Sequence, residues 1–333
     1  MSDFVLVTGG LGMMGAPVCE SLILAGYRVV VYDIGSDRSL LSSIQELCDF
    51  VHGDADDLTR LISTVQAYKP VAIVHFAAIV GSIVENQPWS GLRVNLMGSV
   101  SVLECARLSG VKRVILASSK SVYGPVPSQY KFPHFAPVTE SLPREPLNHY
   151  GKLKRAVEDI ASHYAELYNL DVCAFRFGTT FGPAPVVRHR AFIANMIESA
   201  FEGSAWKAEQ GADQLDDLCY SGEAGAAVIS ALTSKPIFGS FRAYNISSGK
   251  LISLRAMIEV LSRFNPRWEV KIGDGLDYKE IGDAYYFQMD LKRSALELSY
   301  EPKYSFLEAI ENYYSIFSRV GEHSLYVQSR TKE

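Results

Sequence analysis

Short apolar runs alternate with helical patterns through the first half of the chain. Phe4-Val-Leu-Val7 is unbroken and apolar, as a strand buried on both faces of a parallel sheet requires. From Met13 the apolar positions Val18, Leu22 and Ile23 fall at helical spacing and stop at Gly26. Arg28-Val-Val-Val-Tyr-Asp33 is a second strand, followed by a helical stretch around Ser39 to Leu47 and a third strand, Phe50-Val-His-Gly-Asp54. Leu58 to Tyr68 reads as a helix closed by Lys69-Pro70, and Val71 to Phe76 as the fourth strand. Leu92 to Leu108 is helical, ended by Gly110, and Val111 to Ala117 is the fifth strand, terminating at Ser118-Ser119. The segment from Pro125 to Pro146 is too long for a simple connector and is expected to cover something. Asn148 then caps a helix to about Tyr168 whose stripe is Leu153, Val157, Ile160, Tyr164 and Leu167, and Asp171 to Arg176 is the sixth strand.

This alternation predicts an α/β fold with a doubly wound parallel sheet. From Gly178 the alternation fails and prolines, glycines and short elements take over. Residues 1–177 are therefore expected to form the main domain, with chain returning near 215–250 and a strand at Ala243 to Ser247. Residues 178–333 are expected to be mostly a smaller C-terminal lobe. In that lobe Trp206 reads as core, and the polar last dozen residues read as a loose tail.

Composition narrows the class without naming it. An apolar fraction of 48% and a net charge of -5 over 333 residues fit a soluble globule, with no basic cluster long enough to track nucleic acid. No apolar run approaches a bilayer's thickness, and the strand starting at Phe4 leaves no room for a signal peptide. Cys19, Cys48, Cys105, Cys173 and Cys219 are scattered and odd in number, which suggests reduced thiols in a cytoplasmic protein. Seven histidines show no metal-ligand spacing, so no metal is expected.

The chemistry begins at the first turn. Gly9, Gly12 and Gly15 lie between a strand and a helix, where free N–H groups and the positive helix end meet an anion. Gly9 permits the turn, Gly12 admits a pyrophosphate, and Gly15 lets helix and strand pack closely. Asp33 follows about 20 residues on, at the end of the second strand, where it would accept from a ribose 2′-OH and repel a 2′-phosphate. The cofactor expected is NAD, not NADP. Tyr150 and Lys154 lie four apart on one helix face, bordering its apolar stripe. A nearby ammonium favours the phenolate and is expected to lower the tyrosine's pKa, while Ser119 can donate to the same oxygen.

These residues resemble the extended short-chain dehydrogenase/reductase family, best known for nucleotide-sugar epimerases and dehydratases. The resemblance runs from Thr8-Gly-Gly-Leu-Gly-Met-Met-Gly15 to Tyr300-Glu-Pro-Lys-Tyr304. It implies a Rossmann-type sheet, with Ser119, Tyr150 and Lys154 catalytic. It further implies NAD contacts from Gly9, Gly12, Met13, Met14, Gly15, Asp33, Asp54, Ala55, Phe76, Ala77, Ala78, Asn95, Ser118, Tyr150, Lys154 and Phe177. Asp54 would meet the adenine, and His75-Phe-Ala-Ala78 would lie under the cofactor. Ser82, Lys120, Ser121, Thr179, Arg188, Arg190 and Lys279 become candidate substrate contacts. A homodimer is implied through the helices at Leu92–Leu108 and Tyr150–Tyr168, and the apolar positions Leu153, Ala156, Ile160, Ala161 and Tyr164 suit two packed sides.

Departures from the family pattern are informative. Dehydratases carry Asp-Glu directly after the catalytic Ser/Thr; here Lys120 and Ser121 stand there, which leaves epimerisation or dehydrogenation. The usual diphosphate-gripping Arg is Asp216, the expected Asn is Thr179, and the family's other phosphate Arg aligns with Lys279. Arg188-His-Arg190 could replace the missing charge. Two readings follow. The first is an NAD-dependent epimerase acting on a nucleotide sugar through a transient keto intermediate. The alternative is an NAD-dependent dehydrogenase of a smaller hydroxy substrate, such as a sugar acid or free sugar. If the substrate bears a diphosphate, Asp216→Arg is expected to preserve or raise activity.

Overall fold

The computed structural model describes residues 3–184 and 192–323. Seven parallel strands form the central sheet: β1 (Phe4–Thr8), β2 (Arg28–Asp33), β3 (Cys48–His52), β4 (Ala72–His75), β5 (Arg113–Ser119) and β6 (Asp171–Phe177), with a seventh supplied by the returning chain. In chain order β7 (Thr179–Phe181), β8 (Trp206–Ala208) and β9 (Leu215–Tyr220) precede that strand, β10 (Ser240–Ile246). The order is β3-β2-β1-β4-β5-β6-β10, and it reverses between β1 and β4. Every neighbouring pair is parallel. Ligands of such sheets lie outside the carboxyl ends of the strands at that switch point.

The unbroken apolar runs feed two cores. Val5, Val7, Val29 and Val31 pack on one face with Val18, Leu22 and Val228, while Leu6, Val30 and Ile73 pack on the other with Leu61, Val102 and Val157. The strand period of two therefore splits each run evenly between two helix layers. Local capping sets the helix ends. Asp57 accepts from the Arg60 N–H at 2.9 Å to start Leu58–Tyr68, and Asn148 accepts from the Gly151 N–H at 2.8 Å to start His149–Tyr168.

Three expectations shift. The helix expected over 39–47 is two short 3₁₀ turns, Ser39–Leu41 and Gln45–Leu47. Side chains compete with the backbone there, as when Asp37 takes the Ser39 N–H at 2.9 Å. β3 consequently starts at Cys48, and its strand ends at His52 rather than Asp54. The helix expected from Leu92 opens as a π-helical turn, Leu92–Met97, before Gly98–Ser109.

A separate aromatic core gathers residues beyond β6, and in it Trp206 packs against Phe192 and Trp268. β7 and β9 run parallel there, β11 (Leu251–Ser253) joins β9 antiparallel, and β12 (Val270–Ile272) pairs with β8. The proline-rich segment covers the far end of the main sheet. The Val126 N–H donates to the Ala284 carbonyl, the Val138 N–H to that of Gln288, and Glu140 Oε1 accepts from the Asn245 N–H. The last described helix is Phe306–His323, and the expected tail beyond it lies outside the described residues. Among the described residues no helix is long and apolar enough to cross a membrane, and no metal-ligating cluster occurs.

Candidate active site

At the carboxyl end of β1 the chain turns through Gly9, whose φ of +71° favours glycine. A Cβ at Gly9 would lie 2.4 Å from the Ala77 nitrogen, and one at Gly15 would lie 2.1 Å from the Gly9 carbonyl oxygen. At Gly12 the nearest atom would be 3.3 Å away, so Gly12 is the glycine with an open side. The helix Gly15–Leu24 starts next to it with Met14 as its N-cap residue, and its first N–H groups lack intrahelical acceptors. Asp33 accepts from the Leu11 N–H at 3.0 Å and the Gly35 N–H at 2.8 Å, fastening the turn to β2. A carboxylate has further lone pairs to offer. Arg38 does not face it and stacks instead on the Phe50 ring, 3.8 Å from the centroid. A pre-formed turn, an open glycine face, a helix start and an Asp with no cation partner among the described residues fit a dinucleotide with a free ribose 2′-OH.

A buried relay ties this turn to the next. Thr8 Oγ1 lies 2.7 Å from His75 Nδ1, and His75 Nε2 lies 3.0 Å from Ser99 Oγ. Ser99 gives its one hydrogen to the Asn95 carbonyl at 2.7 Å, so it accepts from His75 Nε2. The Asn95 side chain bonds both the N–H and the carbonyl of Ile79, at 2.9 and 2.8 Å, holding the loop that carries Ala77 and Ala78. Burial pushes the His75 pKa down to about 3. The unfolded chain takes up this proton below its ordinary 6.5 and the folded chain does not. The stability His75 contributes is therefore present above pH 6.5 and lost as pH falls toward 3, by roughly 5 kcal/mol in full. Urea midpoints should drop between pH 6.5 and 5, and His75→Gln, less stable at pH 7.5, should show a shallower slope over that window.

Ser119 ends β5, and Tyr150 and Lys154 approach it from the helix His149–Tyr168. Ser119 Oγ donates to Ser121 Oγ at 3.2 Å and accepts from the Ser121 N–H at 3.1 Å. Lys154 is buried, donates to the Ala117 carbonyl at 2.6 Å, and has its Nζ 5.8 Å from the Tyr150 ring centroid. Burial pushes the Tyr150 phenol up to about 12, and a hydrogen bond with Ser119 works against that. The expected lowering by Lys154 is absent here, because that ammonium is turned to Ala117 and burial dominates. Burial also pulls Lys154 down to about 8, with the carboxylate of Glu158 opposing.

Glu158 escaped the sequence reading, although it sits four residues beyond Lys154 on the same inward face. It accepts from Ser118 Oγ at 2.6 Å, from Arg176 at 2.7 Å and from Arg144 at 3.0 Å, and is fully buried. The Ser118 hydroxyl expected at the cofactor is thus engaged on the opposite side of β5 from Ser119. Phe76, just past β4, and Phe177, ending β6, lie on either side of β5 with ring centroids 5.7 Å apart and belong to the core. Asp54 pairs with Arg93 at 3.0 Å, and Ala55 is buried against the Gly98 backbone. Ser82 belongs to the short helix Gly81–Asn86, its side chain outside the described residues. The same helix supplies Glu85, which accepts from the Tyr150 N–H at 3.2 Å.

The family departures converge on one point. Asp216, fully buried on β9, meets Lys120 at 3.2 Å, Lys279 at 3.0 Å, the Tyr278 hydroxyl at 2.8 Å and Thr179 Oγ1 at 3.1 Å. The two ammonium groups and the Tyr278 bond hold it down to about 2 against the upward pull of burial. The carboxylate is therefore not a bare negative charge facing a ligand. Asp216→Arg would place a third cation between two lysines, so the expectation of preserved activity is withdrawn. Arg188 and Arg190 lie outside the described residues.

The pattern of the NAD dependent epimerase/dehydratase family matches residues 5–247. A UDP-glucuronate 4-epimerase of Thermodesulfobacterium geofontis is 28% identical over 322 residues, covering 92% of this chain and 94% of that one. A UDP-glucose 4-epimerase of Corynebacterium glutamicum is 24% identical over 96% of this chain and 97% of its own. Among solved structures, the UDP-glucose 4-epimerase of Brucella ovis in complex with NAD superposes with a TM-score of 0.79 at 26% identity, over 94% of this chain and 97% of that one. The UDP-glucose 4-epimerase of Thermotoga maritima with UDP-glucose shares the fold, with a TM-score of 0.82 at 22% identity, over 95% and 99% of the two chains. With the family pattern spanning the whole parallel sheet, the chain belongs to the NAD-dependent epimerase/dehydratase family.

Proposed function

We infer that this protein is an NAD-dependent epimerase of a nucleotide sugar. The observation that carries the reading is the convergence of Ser119, Tyr150 and Lys154 beside the glycine turn, with Lys120 and Ser121 standing where elimination would need an acid pair. When bound, NAD would supply the acceptor and donor for a hydride of the sugar carbon, and the positive charge of the oxidised nicotinamide would favour a phenolate at Tyr150.

The chain's residues do the rest. Gly12 and the N–H groups from Met13 to Gly15 would hold the diphosphate of the cofactor, and Asp33 a ribose hydroxyl. Tyr150 Oη takes the proton of the sugar hydroxyl and later returns it, while Ser119 Oγ steadies the same oxygen. Lys154, kept in place by Ala117, supplies positive charge and a donor for the second ribose. Residues 1–177, with the return over 215–250, form the NAD-binding part, and 178–333 mostly the substrate lobe. The two 4-epimerase relatives cover more than nine tenths of the chain and make carbon 4 the centre to test first. The dehydrogenase alternative is not favoured, since the relatives are nucleotide-sugar epimerases and the apparent repulsion at Asp216 is neutralised by Lys120 and Lys279.

Incubation with UDP-glucose or UDP-glucuronate, followed by NMR of the sugar ring protons, should show interconversion of the two carbon-4 epimers without net NADH. Net oxidation of the sugar with released NADH would reverse the reading. NADP should bind roughly tenfold or more weakly than NAD in calorimetry, because its 2′-phosphate would meet the Asp33 carboxylate; equal affinity would contradict this. The active species is a homodimer formed through the helices Gly98–Ser109 and His149–Tyr168. Supporting this, Leu92, Met97 and Leu108 near the first helix and Leu167 and Tyr168 on the second are exposed. Light scattering should report two chains per particle. Five unpaired cysteines support a reducing, cytoplasmic setting.

A further inference from the structure

Resting on that nucleotide-sugar reading, we propose that the sugar itself carries a carboxylate, and that Lys120 holds it in the cavity opening beside Ser119. The cavity has a volume of about 290 Å³ and is walled by Lys120, Ser121, Asn148, Lys279, Tyr285 and Phe287. Its described lining contains two lysines and no carboxylate. Ser121 Oγ, on that wall, is 3.2 Å from Ser119 Oγ, so the cavity starts one hydrogen bond from the serine that steadies the reacting oxygen. An anion placed here belongs to the sugar ring rather than to a distant part of the substrate.

Lys120 is the side chain open to that anion. Behind the wall one carboxylate, Asp216, is shared by both ammonium groups. Asp277 also lies near Lys279 and offsets its charge, while its oxygens accept from the Ile281 and Gly282 N–H groups and the Tyr286 hydroxyl. Lys120 Nζ has three donors, of which Asp216 and the Tyr285 carbonyl, each at 3.2 Å, engage two. Among the described residues the third meets no acceptor atom, with Nζ 5.0 Å from the Phe287 ring centroid. Partly buried and sharing its one carboxylate with Lys279, Lys120 gains far more from a carboxylate than from a sugar hydroxyl. Asp216 acts as a positioning residue, drawing both side chains to the same wall.

The test compares kcat/KM for UDP-glucuronate and UDP-glucose, read as carbon-4 epimer formation by the purified enzyme. The wild type should prefer the uronate by about ten- to a hundredfold. Lys120→Met should bring that ratio toward one, as should Lys120→Met combined with Asp216→Asn, which removes the buried pair together. Lys120→Arg should retain the preference. A wild-type ratio at or below one would overturn the proposal while leaving the epimerase reading intact, and that ratio decides the matter even if the variants fail to fold. Equal losses for both sugars in the variants would also overturn it, assigning Lys120 to the diphosphate that the two share. If neither sugar is epimerised, the nucleotide-sugar reading falls and this inference with it.

Discussion

Tyr150→Phe should lower the turnover of this enzyme by about a hundred- to ten-thousandfold, the share a positioned proton carrier contributes. The substitution removes one oxygen, and the ring keeps its packing, so the thermal midpoint and NAD affinity should hardly change. The size of the effect follows from the surroundings of the phenol. Burial pushes its pKa up to about 12, with only the Ser119 hydrogen bond opposing in the protein alone. A neutral phenol at that position moves no proton unprompted, so activity depends on cations brought close to it. Lys154→Met removes the one supplied by the chain and should be nearly as severe. Turnover by the Phe variant at a sizeable fraction of wild type would place the proton transfer elsewhere.

The second large effect concerns Asp216. Asp216→Arg should destabilise the fold by about 3–5 kcal/mol, because it breaks a buried pair and leaves like charges facing one another. Lys120 and Lys279 would then lie on either side of a guanidinium, with Tyr278 and Thr179 deprived of their acceptor. Asp216→Asn keeps an acceptor and should cost less. Denaturant midpoints at pH 7.5 separate the outcomes, and an Arg variant as stable as wild type would contradict the buried cluster.

How far the sequence could be read depended on whether the interactions were local. The bounds of the helices Leu58–Tyr68 and His149–Tyr168 were legible, since Asp57 and Asn148 cap them three residues away. The Tyr150–Lys154 pair was legible because helical periodicity alone puts them on one face. The depth of their burial was not legible, and it is depth that raises the Tyr150 pKa and turns Lys154 to Ala117. Asp216 misled for a related reason. Its partners Lys120 and Lys279 are 96 and 63 residues away, so in the sequence it stands as a lone negative charge. Only the approach of β9 to the end of β5 shows that four substitutions in the family pattern, Lys120, Thr179, Asp216 and Lys279, are one device. Glu158 was within reach, four residues past Lys154, but its role depends on Arg144 and Arg176 arriving from two other segments.

The most direct measurement of the central claim follows a deuterium placed on carbon 4 of the nucleotide sugar. An epimerase that keeps its NAD bound returns the same hydride to the same sugar, so the product should carry the label at carbon 4, inverted, with none in solvent or in free NADH. Labelled NADH accumulating in solution beside a keto sugar would contradict the account and mark the protein as a dehydrogenase.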